Sequence, residues 1–399
     1  METPTKKTFV NAGVYVEEYK TRPISGTSTN IAAFIGAANS GPYNTPVLVR
    51  SFQEFERTFG GYITAPRQYL AYAVDLFFKN GGGSAYIVRA AELPVVRSLQ
   101  NLSSPVSKLQ PAAVYKADDG PAPALDLGAA VSALEKADDA SIIAAPGIYG
   151  KDVYEKLIAH CSRMRYRFAI LDMPQGCGAE QAKTIRRTEM VSPEGTAATY
   201  HPWLQITDPV TKEKVFVPPS GAAAGVYAAV DTHIGVHKAP ANVSLESVTG
   251  LETNIDMQQQ ELLNTNGICA IRAFSGKGFL IWGAITISER PEWRHISTRR
   301  LMQHLERSIY NGTQWIVSQT NDAKLWVAVR TSVEEFLMNI WRAGGLAGAK
   351  PEEAFYIKCG LGATMTADDI MKGMMIIEIG AAVLRPGEFY RTTIVRQCG

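Results

Sequence analysis

Net charge is nearly absent from this 399-residue chain: 40 Lys and Arg stand against 38 Asp and Glu, a formal balance of +2. Binding to DNA or RNA draws most of its affinity from neutralising phosphates, so the missing basic excess argues against a nucleic-acid partner. Cysteine is scarce too. Cys161, Cys177, Cys269, Cys359 and Cys398 are odd in number, widely spread and without a C-x-x-C pair, which fits free thiols in a reducing compartment. The longest nearly unbroken apolar stretch, residues 279–287, falls far short of the roughly 20 residues a membrane span requires. The first ten residues carry Glu2 and two lysines and lack the apolar core of a secretory signal peptide. The chain therefore reads as soluble and made in the cytoplasm. Also missing are a P-loop, a Rossmann glycine fingerprint, H-E-x-x-H and G-x-S-x-G.

What is present is globular: 46% of residues are hydrophobic and 20% charged, and the length favours two domains or one with a large insertion. Strand and helix patterns alternate. Strands are expected at 31–37, 47–52, 85–89, 141–145 and 168–171, with helices at 52–59, 67–78, 125–134 and 152–164, the order of βαβ units and of a partly parallel sheet. Periodicity fails over 93–123, and 176–199 is a second polar interval. The small-residue run 221–230 suits close helix packing. In the last third, 268–274 and 279–282 read as a strand pair around Ser275-Gly276-Lys277-Gly278. Leu301, Leu305 and Ile309 mark one helix, with Arg299, Arg300, Glu306 and Arg307 on its wetter side. Trp326, Val329, Val333, Phe336 and Ile340 mark a second. Strands 354–359, 374–383 and 388–396 follow. The fold class is α/β, mixed α+β.

Candidate sites are weak. Gly276-Lys277 lacks the upstream Gly (Ile271 stands there) and the following Ser or Thr of a P-loop. His233 and His237 beside Asp231 have metal-ligand spacing, but Gly235 weakens the helix they need and no fourth ligand is evident. His160 and Cys161 are adjacent and so do not face each other on a helix; a buried thiol beside a surface imidazole is expected. Arg163, Arg165 and Arg167 would, as a strand, form a basic face, read here as solvated or inter-subunit. No catalytic, cofactor or metal site is expected.

The termini stand out. Phe9, Val10, Val14, Tyr15 and Val16 form a β-leaning arm, and the last strand alternates Phe389, Arg391, Thr393, Val395 against Tyr390, Thr392, Ile394, Arg396. Unpaired edges recruit partners, so each segment is either tucked into its own sheet or meant for a neighbour. The residue pattern leaves both options open.

The ordered series Pro219-Ser220-Gly221-Ala222, Gly225-Val226-Tyr227-Ala228, Gly235 through Asn242, Trp282-Gly283-Ala284, Gly312-Thr313-Gln314-Trp315, Trp341-Arg342 and Leu384-Arg385-Pro386 with Glu388-Phe389 resembles the contractile tail sheath proteins of myophages, R-type bacteriocins and related injection systems. Gly13-Val14-Tyr15-Val16-Glu17-Glu18 is similar to the family's opening. Ile285 and Gly387 depart from its pattern, where Arg and Ala are usual. The resemblance implies a non-enzymatic subunit that polymerises with itself as stacked hexameric rings around an inner tube protein, between baseplate and tail terminator proteins, and contracts to drive the tube through an envelope. It implies no cofactor, no nucleic acid and no membrane insertion, and assembly in the bacterial cytoplasm. It divides the chain into a linker arm (1–20), an outer α/β domain (21–240, variable near 93–200) and an assembly domain (241–399). The inter-subunit strand role falls on Phe9, Val10, Val14, Tyr15 and Val16 at one end and on Phe389, Tyr390, Thr392, Ile394 and Val395 at the other. Without the resemblance, a capsid or filament subunit, or an α/β enzyme with an unrecognised site, fits the same composition.

Overall fold

The computed structural model describes residues 22–64, 67–91 and 125–398. The first half runs β1 (Ala32–Gly36), β2 (Val47–Val49), α1 (Phe52–Phe59), β3 (Ile63–Thr64), β4 (Arg67–Gln68), α2 (Leu70–Lys79), β5 (Ala85–Arg89), α3 (Leu127–Ala133), β6 (Ile142–Ala144), α4 (Lys151–Met164), β7 (Phe168–Asp172), α5 (Ala179–Glu189), β8 (Ala197–His201), β9 (Leu204–Thr207), β10 (Lys214–Val217) and α6 (Ser220–His233). The second half runs β11 (Val243–Ser244), β12 (Gly250–Leu251), α7 (Met257–Thr265), β13 (Cys269–Phe274), β14 (Gly278–Ile281), α8 (Ile296–Gly312), α9 (Ala323–Arg342), β15 (Phe355–Lys358), β16 (Met374–Ala382) and β17 (Phe389–Gln397), with short helical turns between.

Among the described residues, nine strands form one sheet in the order β11-β14-β13-β8-β7-β6-β1-β5-β2. Its centre is parallel: β1 pairs with β5 and β6, β6 with β7, β7 with β8 and β8 with β13. Successive side chains of a strand point to opposite faces, and β1 shows it. Ala32 and Phe34 enter a core with α1, α2 and α6, while Ala33 and Ile35 enter a second core with α3, α4, α5 and α7. Both faces are covered, hence the unbroken burial of β1, β7 and β8. The run 221–230 lies against α2, where a Cβ on Gly221 would stand 2.4 Å from the Ala73 carbonyl oxygen and one on Gly225 2.5 Å from that of Phe77.

A third core joins α8 and α9 to the antiparallel sheet β15-β16-β17, with Leu301, Leu305, Val329, Val333, Leu337, Met375, Ile377, Ile379 and Ile394 inside it. The strands β11, β13 and β14, assigned from sequence to the C-terminal unit, lie instead in the large sheet, where Cys269 and Ala270 run parallel to Tyr200 and His201, while β12 pairs with β9 in the smaller sheet β10-β9-β12. The polar interval 176–199 holds α5 and the start of β8. Only Ala179, Ala182 and Arg186 of α5 are buried, too few to print an apolar stripe.

Several side chains depart from the expected reading. Arg163 lies in the last turn of α4, Arg165 caps it at φ +64° and Arg167 is fully buried, so the three share no strand face. His160 is buried rather than surface-exposed. Arg300, expected on the wet side of α8, is buried against Asp231.

Candidate assembly interface

β17 forms because its β-branched and aromatic residues (Phe389, Tyr390, Thr392, Thr393, Ile394, Val395) favour a pleated surface, and because the preceding turn aims it back along β16. In that turn Gly387 sits at φ +76°, the Glu388 N–H donates to the Arg385 carbonyl at 3.2 Å, and the Gly387 N–H donates to the Glu353 carbonyl at 2.9 Å. All nine residues of β17 are in register with β16, from Phe389 opposite Ala382 to Gln397 opposite Met374. The strand thus pairs within its own sheet. β15 and β17 are its two edges, and among the described residues no strand pairs with their outer sides.

The inward face of β17 is bound to α8 and its flanks. Thr392 is buried and its hydroxyl donates to Glu306 Oε1 at 2.6 Å, while the same carboxylate pairs with Arg165 of α4 at 2.9 Å. Tyr390 packs its ring 5.5 Å from Trp293. Ile394 enters the third core. Arg396, buried and among the described residues without an acidic partner, donates from Nε to Thr313 Oγ1 at 3.1 Å and lays its guanidinium 3.7 Å over the Tyr310 ring; burial lowers its pKa. Phe389 meets Tyr356 edge-on at 5.1 Å. The outward face, Arg391, Thr393, Val395 and Gln397, is exposed, Val395 by 53%.

The five expected C-terminal residues therefore divide between faces: Thr392 and Ile394 are buried, Phe389 and Tyr390 half-buried, and Val395 turned outward. Phe9, Val10, Val14, Tyr15 and Val16 lie outside the described residues. Sequence reasoning missed Arg396, although strand alternation puts it on the Thr392 face. Nothing in the sequence marks Glu306 as the meeting point of Arg165 and Thr392.

The polar side of α8 fastens this unit to the large sheet. Arg300 donates from both Nη atoms to the Asp231 carboxylate at 3.0 and 2.6 Å, and to the Thr29 carbonyl at 2.8 Å. Gln303 donates to the Arg167 carbonyl at 2.8 Å, and the Arg307 guanidinium covers the Tyr166 ring at 3.8 Å. Arg167 donates from Nη1 to His160 Nε2 and from Nη2 to the Ala137 carbonyl, both at 2.6 Å. Arginine only donates, so the His160 ring is neutral with its proton on Nδ1. Burial, with Arg167 and Arg163 nearby, holds its pKa down at about 4.

Other titratable pairs are chemically quiet. Cys177 Sγ lies 3.8 Å from His201 Nδ1, but burial pushes the thiol up to about 12 and the imidazole down to about 4, so the thiolate and imidazolium a nucleophilic pair needs do not form near neutral pH. Among the described residues no cluster of three or more His, Cys, Asp or Glu is placed to hold a metal ion, and no helix is long and apolar enough to cross a membrane.

Comparison with known proteins adds to this geometry. Residues 120–287 match the phage tail sheath protein central domain and residues 288–396 the phage tail sheath C-terminal domain. A prophage major tail sheath protein of Pseudomonas aeruginosa (strain UCBPP-PA14) is 27% identical over 124 residues, 30% of this chain and 32% of that protein. The tail sheath protein of Escherichia phage P2 is 24% identical over 190 residues, 46% of each. The chain thus spans a third to under a half of these curated relatives. Likeness to solved structures extends further. The helical sheath of the anti-feeding prophage in its contracted state is 29% identical, with 96% of this chain and 98% of that chain covered at a TM-score of 0.72. A chain of the anti-feeding prophage baseplate assembly is 27% identical, with 98% and 99% covered at 0.71.

Proposed function

The chain belongs to the phage tail sheath family, and from that premise we propose that it polymerises as stacked hexameric rings around an inner tube and contracts to drive the tube through a target envelope. It is a tail sheath protein of a phage or phage-tail-like contractile system. Its role is mechanical and not catalytic in this reading. The partners are further copies of itself, the inner tube protein, and the baseplate and terminator at the two ends, with assembly in the bacterial cytoplasm. One observation supports the reading best: likeness to a contracted helical sheath covers 96% of this chain.

In the array, Phe389, Tyr390, Thr392, Ile394 and Val395 enter the sheet of a neighbour, and the arm carrying Phe9, Val10, Val14, Tyr15 and Val16 adds a strand to another. Backbone hydrogen bonds then link copies while the connecting segments rotate. The energy of contraction comes from contacts that differ between the long and short lattices, since shared contacts favour neither. The division of labour proposed is an outer unit built on the large sheet through about residue 287 and an assembly unit beyond it, with residues 1–20 as the linker arm.

Negative-stain imaging of the purified chain, alone and with its inner tube, tests the reading. A cogwheel tube on the order of 20 nm wide, the scale expected by analogy within the family, is the expected result. Isolated subunits under both conditions would overturn it.

A further inference from the structure

The pairing of β17 inside its own subunit raises the question of what decides whether that strand stays or leaves. Resting on the strand-exchange reading above, we propose that Gly387 is the hinge that sets this balance. If β17 of a second copy took the same slot, Thr392 would meet Glu306, Arg396 would meet Thr313 and Tyr390 would meet Trp293 as they do now, only between copies. Contacts made in both arrangements cannot select one of them. The connection between β16 and β17, residues 383–388, is what differs.

In the self-paired form this connection reverses the chain within six residues. The reversal depends on the left-handed backbone of Gly387 at φ +76°, held by its N–H on the Glu353 carbonyl at 2.9 Å. An exchanged strand needs the connection to run away from its own sheet, spanning up to about 20 Å when extended. Glycine occupies the left-handed region freely, whereas another L-residue is disfavoured there. The site is sterically open, because a Cβ built on Gly387 meets nothing within 4 Å among the described residues. A side chain there acts on backbone preference alone and leaves packing intact. The turn also holds the Glu388 N–H bond to the Arg385 carbonyl at 3.2 Å, whereas the ion pair of Arg385 Nη1 with Glu388 at 3.4 Å is exposed and contributes little. Glycine at 387 therefore favours the strand staying home, which keeps a free subunit from exposing β16 and recruiting copies at random.

Sedimentation velocity on the full chain over a concentration series tests this. Gly387→Ala is expected to lower the concentration at which oligomers form by roughly five- to thirtyfold, the population ratio that follows from the left-handed penalty. Gly387→Asn, which tolerates that region, should stay near the unmodified protein. A cross-strand disulfide from Ile376→Cys with Val395→Cys, facing pairs on the outward side of the sheet, should keep the chain monomeric until reduced. Met374→Cys with Gln397→Cys serves as a second pair if the first fails to close by mass. Should G387A assemble like the unmodified chain while the cross-linked protein is blocked, the hinge is wrong and exchange stands. Should the cross-linked protein assemble as well as the reduced one, strand exchange falls, and the hinge with it.

Discussion

Asp231 of α6 and Arg300 of α8 meet as a two-point ion pair, with side-chain exposures of 1% and 4%, at the seam between the large sheet and the terminal unit. The pair has consequences in both directions. Removing one partner strands a buried charge, which typically costs about 3–5 kcal/mol. Arg300→Met should lower unfolding stability by that amount in urea titration. Arg300→Met combined with Asp231→Leu should recover most of the loss, since an apolar pair of similar volume requires no desolvation.

Stability should fall as pH drops from about 6.5 toward 4. His160 and His201 are each held near 4 in the folded chain, from an ordinary value of 6.5, so the unfolded state takes up their protons first. Their contribution is complete above 6.5 and is lost through that window. Asp172 acts in the opposite sense: burial raises it from 3.8 to about 6, so the folded state takes up its proton first and gains stability over the same fall. Two histidines outweigh one carboxyl, and urea midpoints at pH 7 and pH 5 should show the net decline. His160→Gln, whose amide oxygen can still accept from Arg167, should remove roughly half of the histidine part.

Thr392→Val keeps the shape and strand preference of β17 while deleting the hydroxyl that donates to Glu306. Hydrogen bonds to charged groups contribute about 1.5–3 kcal/mol, but Glu306 retains Arg165, which places the expected loss near the lower end. Thermal unfolding of the monomer reads it.

Gly221→Ala should destabilise by about 1–3 kcal/mol through overpacking, because the added methyl would sit 2.4 Å from the Ala73 carbonyl oxygen and push α6 off α2. Gly83→Ala is the control, since a Cβ there meets nothing within 4 Å among the described residues. Paired urea melts separate the two.

Chains lacking residues 1–16 or 388–399 are expected to build no tubes while the large-sheet unit stays folded, the second truncation also stripping β17 from the third core. Electron microscopy reads the first property and circular dichroism the second. Full-length tubular polymers from either truncation would remove the terminal segments from the assembly mechanism.

The sequence carried much of the fold wherever burial leaves a periodic trace. The stripe Trp326, Val329, Val333, Phe336 became α9, and alternation in the last strand matched the two faces of β17. It failed where burial is thin. α7 buries Leu263 alone and went unseen, although its Asp256–Gln259 capping box is a local start signal. The pairing of Arg300 with Asp231 was not legible, since a charged residue on a helix face looks solvated until the opposing acid is placed. The membership of β13 and β14 in the large sheet was hidden for a related reason: β13 reaches β8 across about seventy residues, and only three-dimensional pairing reveals it.

The uninterrupted register of β16 and β17 also fixes how the joint responds to tension. A pull along the strand axis loads the bonds of all nine residue pairs together, so they must yield as a set. A pull across the axis opens them singly from one end, at much lower peak force. Whichever copy supplies the strand, the joint is stiff in one direction and peels in the other, and the orientation of β17 relative to the applied load determines whether it behaves as a rivet or as a zipper.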